Sequence, residues 1–271
     1  MKILRLIVIL LIGSTLLLAE ESNIFSKHGQ FLFSGMGMGI GSFKDIGTSP
    51  LTYNGISGMM PFGFLQDRPK YNFEFNTNFS YLGSIATRYY MLHYFSGKMN
   101  ISYLRTIPVF SNSKLNFQAG GSISAGMTGT FNDSYQNAML NIDYYTSLFV
   151  SSGITYKFIS PEKDFKISFM KFHIPHRKLA AHFRLDLPLI LFNGRPNFPY
   201  LRESDLDIFD RHYFLGGFQI KSNLGIKCFL KNGNAFELSY VWAMLTTGSK
   251  DLYLLETASH NLLMSFYFKL D

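Results

Sequence analysis

Between Tyr71 and Tyr81 the chain alternates without a break. Tyr71, Phe73, Phe75, Thr77, Phe79 and Tyr81 fall on one side of a strand, and Asn72, Glu74, Asn76, Asn78 and Ser80 on the other, because successive strand side chains point to opposite faces. One face is aromatic except at Thr77. The other is polar throughout, with asparagine at positions that strand propensity disfavours. A water-soluble sandwich would turn the aromatic face inward. A membrane barrel would turn it to lipid and leave the amides to line a lumen. The ten-residue separation of Tyr71 and Tyr81 fits the ~9–11 residues of a tilted transmembrane strand with an interfacial ring at each end.

The same rhythm recurs. In the segment Lys114–Met127, Leu115, Phe117, Ala119, Ile123, Ala125 and Met127 oppose Asn116, Gln118, Ser122 and Ser124. In Tyr213–Leu230, Phe214, Phe218, Ile220, Leu224 and Ile226 oppose Gln219, Lys221, Asn223 and Lys227. After the Lys231-Asn232-Gly233-Asn234 turn, whose Asn-Gly pair is a strong hairpin signal, Phe236 to Met244 alternate with Glu237, Ser239, Val241 and Ala243. Gly35, Gly37, Gly39 and Gly41 have period two, which empties one face and predicts close approach or strong curvature there. About eleven strand-like segments follow residue 28, with loops expected at Lys44–Pro50, Thr130–Gln136, Gly194–Arg211 and Thr247–Leu254. A closed barrel with both termini on one side needs an even count. Ten to twelve strands are therefore expected, with twelve preferred. The uncertain regions are the long run Asn137–Ile159, read as one strand or two, and the short Phe165–Phe172 segment ending at Pro175.

Composition favours the same all-β, transmembrane, antiparallel up-and-down barrel. The chain is 47% hydrophobic and 17% aromatic but only 16% charged, against about 25% charged in average globular chains. A barrel has a second apolar surface to supply, facing lipid. A soluble domain would have to hide the excess in a core of limited size.

The last strand carries a resemblance. Leu262, Met264, Phe266, Phe268 and Leu270 form one apolar face, and Leu263, Ser265, Tyr267 and Lys269 the other. A terminal strand of this kind resembles the closing strand of Gram-negative outer-membrane β-barrels, although Asp271 stands where that class often ends in an aromatic. The resemblance is at class level. It implies outer-membrane localisation, outer-membrane lipid around the barrel, and recognition of the closing strand by barrel-assembly machinery. It also leaves room for an unidentified protein partner.

The chain opens with Met1-Lys2-Ile3-Leu4-Arg5, an apolar run from Leu6 to Leu18, and Ala19 before Glu20-Glu21. This layout predicts a secretory signal peptide over residues 1–19 and a single barrel domain over 20–271. The apolar run is short of the ~20 residues a spanning helix needs. Removing the signal leaves 23 basic against 18 acidic residues, spread without the basic block that marks nucleic-acid contact. A lone Cys228 excludes an intramolecular disulfide framework.

Chemistry is sparse. None of the seven histidines (His28, His93, His173, His176, His182, His212 and His260) is followed two residues on by serine, the spacing that would point both along one strand face. His173 and His176 flank Pro175 without an adjacent acid, so no metal site is expected. The Arg202–Arg211 cluster breaks a calcium-loop pattern after Asp205 and Asp207. Neither catalytic residues nor a cofactor are assigned. The remaining candidates are lumen-facing: Asn72, Glu74, Asn76, Asn78, Gln219, Lys221, Asn223, Lys227, Glu237 and Lys269. Their mixed charge suits either a wet pore or a salt-bridged, closed interior. The leading expectation is a narrow channel or structural barrel without catalysis. The alternatives are a lipid-acting outer-membrane hydrolase and a barrel assisting protein export or surface assembly.

Overall fold

The computed structural model describes residues 28–46, 49–84, 92–132, 140–167, 170–174, 176–196, 212–249 and 252–270. The expected signal peptide and the Arg202–Arg211 cluster lie outside them. Twelve strands follow in chain order. They are β1 (Gly29–Asp45), β2 (Ser49–Asp67), β3 (Tyr71–Ser84), β4 (Leu92–Thr106), β5 (Leu115–Asn132) and β6 (Leu140–Ser160), then β7 (Lys163–Ile167), β8 (Met170–Ile174), β9 (Arg177–Pro196), β10 (His212–Phe229), β11 (Ala235–Ser249) and β12 (Leu252–Lys269). Ten of them close into an antiparallel barrel in the order β1-β12-β11-β10-β9-β6-β5-β4-β3-β2. The terminal strand is the closing element, running from Phe31↔Lys269 to Asp45↔Leu255. The start of β1 and the end of β12 therefore lie at one end of the barrel, called here the near end.

The ladder is inside-out. Among the described residues, forty large apolar side chains stand exposed, while buried polar residues (twenty-five) outnumber buried apolar ones (eighteen). Met38 is 72% exposed and Phe79 64%, whereas Ser147 and Thr247 are 0%. Water would not tolerate so large a continuous apolar belt, and lipid covers it. The ten barrel strands span 14 to 21 residues, longer than the ~9–11 a crossing requires. Closure leaves no open sheet edge in the hydrocarbon, where an unpaired backbone group would cost several kcal/mol.

Ten is the lower of the two expected barrel counts. Asn137–Ile159 holds one strand, β6, not two. Pairing of Ser160 with Arg177 already joins β6 to β9, so the intervening chain leaves the sheet. There the expected short strand at Phe165–Phe172 is instead a separate two-stranded hairpin, β7–β8, at the near end. Several strands also run further than expected. Lys44 and Asp45 belong to β1, Gly194 to Pro196 to β9, and Thr247 to Ser249 to β11.

Leu187–Phe192, apolar at every position but Pro188, is explained by a bulge. Leu148 pairs with Ile190 but Phe149 with Pro188, leaving Leu189 unpaired, and Pro188 is tolerated where the ladder breaks. Leu187, Leu189, Ile190 and Phe192 consequently all reach the outer face, while Leu191 is buried.

The period-two glycines face the lumen side of β1, where Met36, Met38 and Ile40 face outward. A Cβ on Gly39 would lie 1.8 Å from the His260 carbonyl oxygen on β12. The seam between first and last strands is thus too close for any side chain there. Gly233 turns the β10–β11 hairpin with φ of 91°, and its N–H donates to the Leu230 carbonyl (3.1 Å).

Candidate functional site

A ten-stranded ring has a narrow bore, and inward side chains cross it. In the ring order β1 and β6 are diametrically opposed, yet Asn141 Nδ2 on β6 donates directly to Asp45 Oδ2 on β1 at 2.7 Å. At the same level Arg195 on β9 donates from Nη1 to Asp45 Oδ1 (2.9 Å), and from Nε and Nη2 to Asp143 Oδ1 and Oδ2 (2.6 and 2.8 Å). Asn193 Nδ2 reaches Thr247 Oγ1 (3.3 Å). Phe43, Tyr53, Leu82, Leu92, Leu191, Leu245 and Leu255 pack as one buried cluster at this end. We call this the far layer. Arg195 is 2% exposed and Asp45 1%: charge here has been taken out of water and fully hydrogen-bonded, the condition under which a buried ion pair is tolerated.

A second ionic layer lies toward the near end. Arg184 on β9 donates from Nη1 to Glu74 Oε2 on β3 (3.1 Å) and Ser102 Oγ (3.2 Å), and from Nε to Asp186 Oδ1 (2.9 Å). Lys227 Nζ meets Glu237 Oε2 at 3.1 Å and stands 3.7 Å from the Tyr267 ring centroid. His182 Nε2 is 3.5 Å from Glu237 Oε1. All of these but Asp186 line a cavity of about 190 Å³, wet enough for several waters. A neighbouring cavity of about 90 Å³ holds Asn76, Asn78, Lys98, Lys221, Asn223 and Asn261. Serines at 57, 96, 102, 122, 147, 151, 239 and 265 are buried in the wall, and their small side chains make room for the long ones.

The ten candidates named from the sequence fall as follows. Asn72 lies 3.1 Å from Gln118, and Asn76 donates to Glu74. Asn78 is buried. Gln219 accepts from Ser147 Oγ (2.8 Å). Glu74, Lys221, Asn223, Lys227 and Glu237 share the larger cavity. Lys269 sits apart at the rim, where its backbone N–H donates to Asn234 Oδ1 (3.0 Å). Sequence reading missed Lys98, Arg184 and Asp186, and the whole far layer: Asp45 and Arg195 fell in expected loops, and Asp143 in the undivided Asn137–Ile159 run. The available signal was parity, since Asp143 shares the inward register of Ser147 and Ser151.

The histidines divide by face. His93 Nδ1 is 2.7 Å from Tyr81 Oη, and His260 Nδ1 bonds Tyr240 Oη, both on the outer surface. His176 is exposed, and the side chain of His173 lies outside the described residues. Among the described residues no group of three or more histidines, cysteines or acids is positioned to hold a metal.

These features define an integral membrane β-barrel with side chains packed across its bore. No family model matches the chain, and no curated protein is similar to it. Solved structures of similar outline include the transport unit of the autotransporter AIDA-I from Escherichia coli. It is 10% identical over 96% of this chain and 97% of that one, with a TM-score of 0.47. The translocator domain of the autotransporter NalP from Neisseria meningitidis is 9% identical over 95% and 93% (TM-score 0.38). The Pseudomonas putida toluene transporter TodX is 10% identical over 96% and 93% (TM-score 0.31). At these identities and scores no activity carries across, and the fold rests on the strand pairing itself.

Proposed function

We propose that this protein is an outer-membrane barrel of structural type, non-catalytic, whose lumen is shut at the far end and wet at the near end. Residues 1–19 act as the signal that sends it across the inner membrane, and the β12 strand presents the apolar face that assembly machinery reads. With the termini on the periplasmic side, the polar cavities face the periplasm and the far layer faces outward. The observation that carries the reading is the direct Asn141–Asp45 hydrogen bond between opposite walls. Arg195 and the apolar cluster with Phe43, Leu92 and Leu255 are buried around that bridge, which supports a bore closed at this level.

The test is an unheated-versus-boiled gel of detergent-extracted outer membrane, followed by planar-bilayer recording on the same sample. A heat-modifiable band without steady conductance is expected. Steady conductance of the intact protein would replace this reading with a narrow channel. Absence of the heat-modifiable band would remove the membrane assignment.

A further inference from the structure

The two ionic layers do not use up the cations between them. Lys98 on β4 and Lys221 on β10 stand on opposite walls, four places apart in the ring of ten, and both line the cavity of about 90 Å³. Each ammonium lacks a hydrogen bond or ion pair with the described residues, although every neighbouring carboxylate has one. Glu74 and Asp186 are taken by Arg184, and Glu237 by Lys227. Asn78 and Asn223 turn carboxamides into the same cavity with Oδ1 unpaired, so either end of each amide can face the site.

The charged groups lining this cavity are Lys98, Lys221, Glu74 and Glu237, and both carboxylates are already paired, Glu74 with Arg184 and Glu237 with Lys227. Two ammonium groups facing each other in a confined bore are costly without a counter-charge. The cavity of about 90 Å³ has room for a small inorganic ion with its water.

We propose that the mid-lumen is a binding site for a small monovalent anion, held between Lys98 and Lys221. The ion enters through the near-end cavity, whose lining also includes Lys221 and Arg184. The site deepens the closed-barrel reading: an anion here neutralises the bore without opening it.

The experiment is chloride binding by ³⁵Cl NMR line broadening on detergent-folded protein at constant ionic strength, with gluconate replacing chloride. Saturable broadening is expected, weakened about tenfold in either K98Q or K221Q by loss of one charge-assisted contact and unchanged in K70Q in the exposed turn between β2 and β3. The unheated gel shows that each variant is folded. Broadening that is non-saturable, or equal in wild type and K98Q/K221Q, overturns the site. Bilayer recording separates the two readings. Conductance with a chloride-selective reversal potential that K98Q abolishes would end the closed barrel and keep the anion site. A silent bilayer without saturable broadening would do the reverse.

Discussion

The far and near layers are built from the same parts and do different work. Each centres on an arginine of β9 that bridges two carboxylates: Arg195 between Asp45 and Asp143, Arg184 between Glu74 and Asp186. In the far layer the side chains are 5% exposed or less, and apolar residues seal the ring around them. In the near layer Glu74 keeps 26% of its side chain exposed and Arg184 16%, and a cavity adjoins them. The same chemistry thus serves as a plug where the wall supplies Phe43, Leu92 and Leu255, and as a wet polar lining where it supplies serine and asparagine. Burial, and not the ion pair, sets the function.

That contrast can be broken most severely at Arg195. Replacing it with leucine removes the guanidinium that bridges Asp45 and Asp143, so we expect R195L to lose about 3–5 kcal/mol of stability, the range for breaking a buried ion pair by removing one partner. The urea midpoint of folding into vesicles measures this, and bilayer recording should show new conductance if the layer is the plug. The triple variant D45N/D143N/R195M sharpens the point, because removing the whole network should recover most of the loss. A triple variant as unstable as R195L would mean that shape rather than charge closes the far end.

Closure of the barrel depends on the β1–β12 seam. A side chain at Gly39 must displace the His260 carbonyl, so G39V should cost about 1–3 kcal/mol as an overpacked site and reduce the heat-modifiable fraction on the unheated gel. A G39V protein that closes as fully as wild type would show the seam to be looser than the 1.8 Å approach requires.

In the near layer the effect should be smaller. R184A removes charged hydrogen bonds to Glu74 and Asp186, but water in the adjoining cavity can hydrate Glu74. We expect a loss of about 2 kcal/mol, no new conductance, and only partial sensitivity to salt. Equal losses in R184A and R195L would erase the distinction between the layers.

The inward face of most strands was legible in the sequence, and their depth and partners were not. Period-two alternation assigns Asn72 to Asn78 and Gln219 to Lys227 to one side without any knowledge of tertiary structure. It gives no information on what lies across the bore, because Asn141 and Asp45 are 96 residues apart and meet only after ten strands have closed. The bulge at Leu189 shifts parity by one residue, so Arg195 could be read inward only with the register known. The β7–β8 hairpin carries the same strand signals as a membrane strand but is too short to cross, and length was the cue that separated it from the barrel.

The mildest test lies on the outer wall, where no layer is involved. Tyr240 Oη bonds His260 Nδ1 across β11 and β12, as Tyr81 does His93 across β3 and β4. Both pairs stand on the apolar face among exposed Leu238, Leu262 and Phe95. Y240F removes one neutral hydrogen bond and keeps the ring, so about 1 kcal/mol or less should be lost, with the gel shift and bilayer behaviour unchanged. If Y240F instead approached R184A in cost, the polar pairs facing lipid would be holding the barrel as firmly as the cations inside it. The division between a sealing interior and a merely lipid-compatible exterior would then fail.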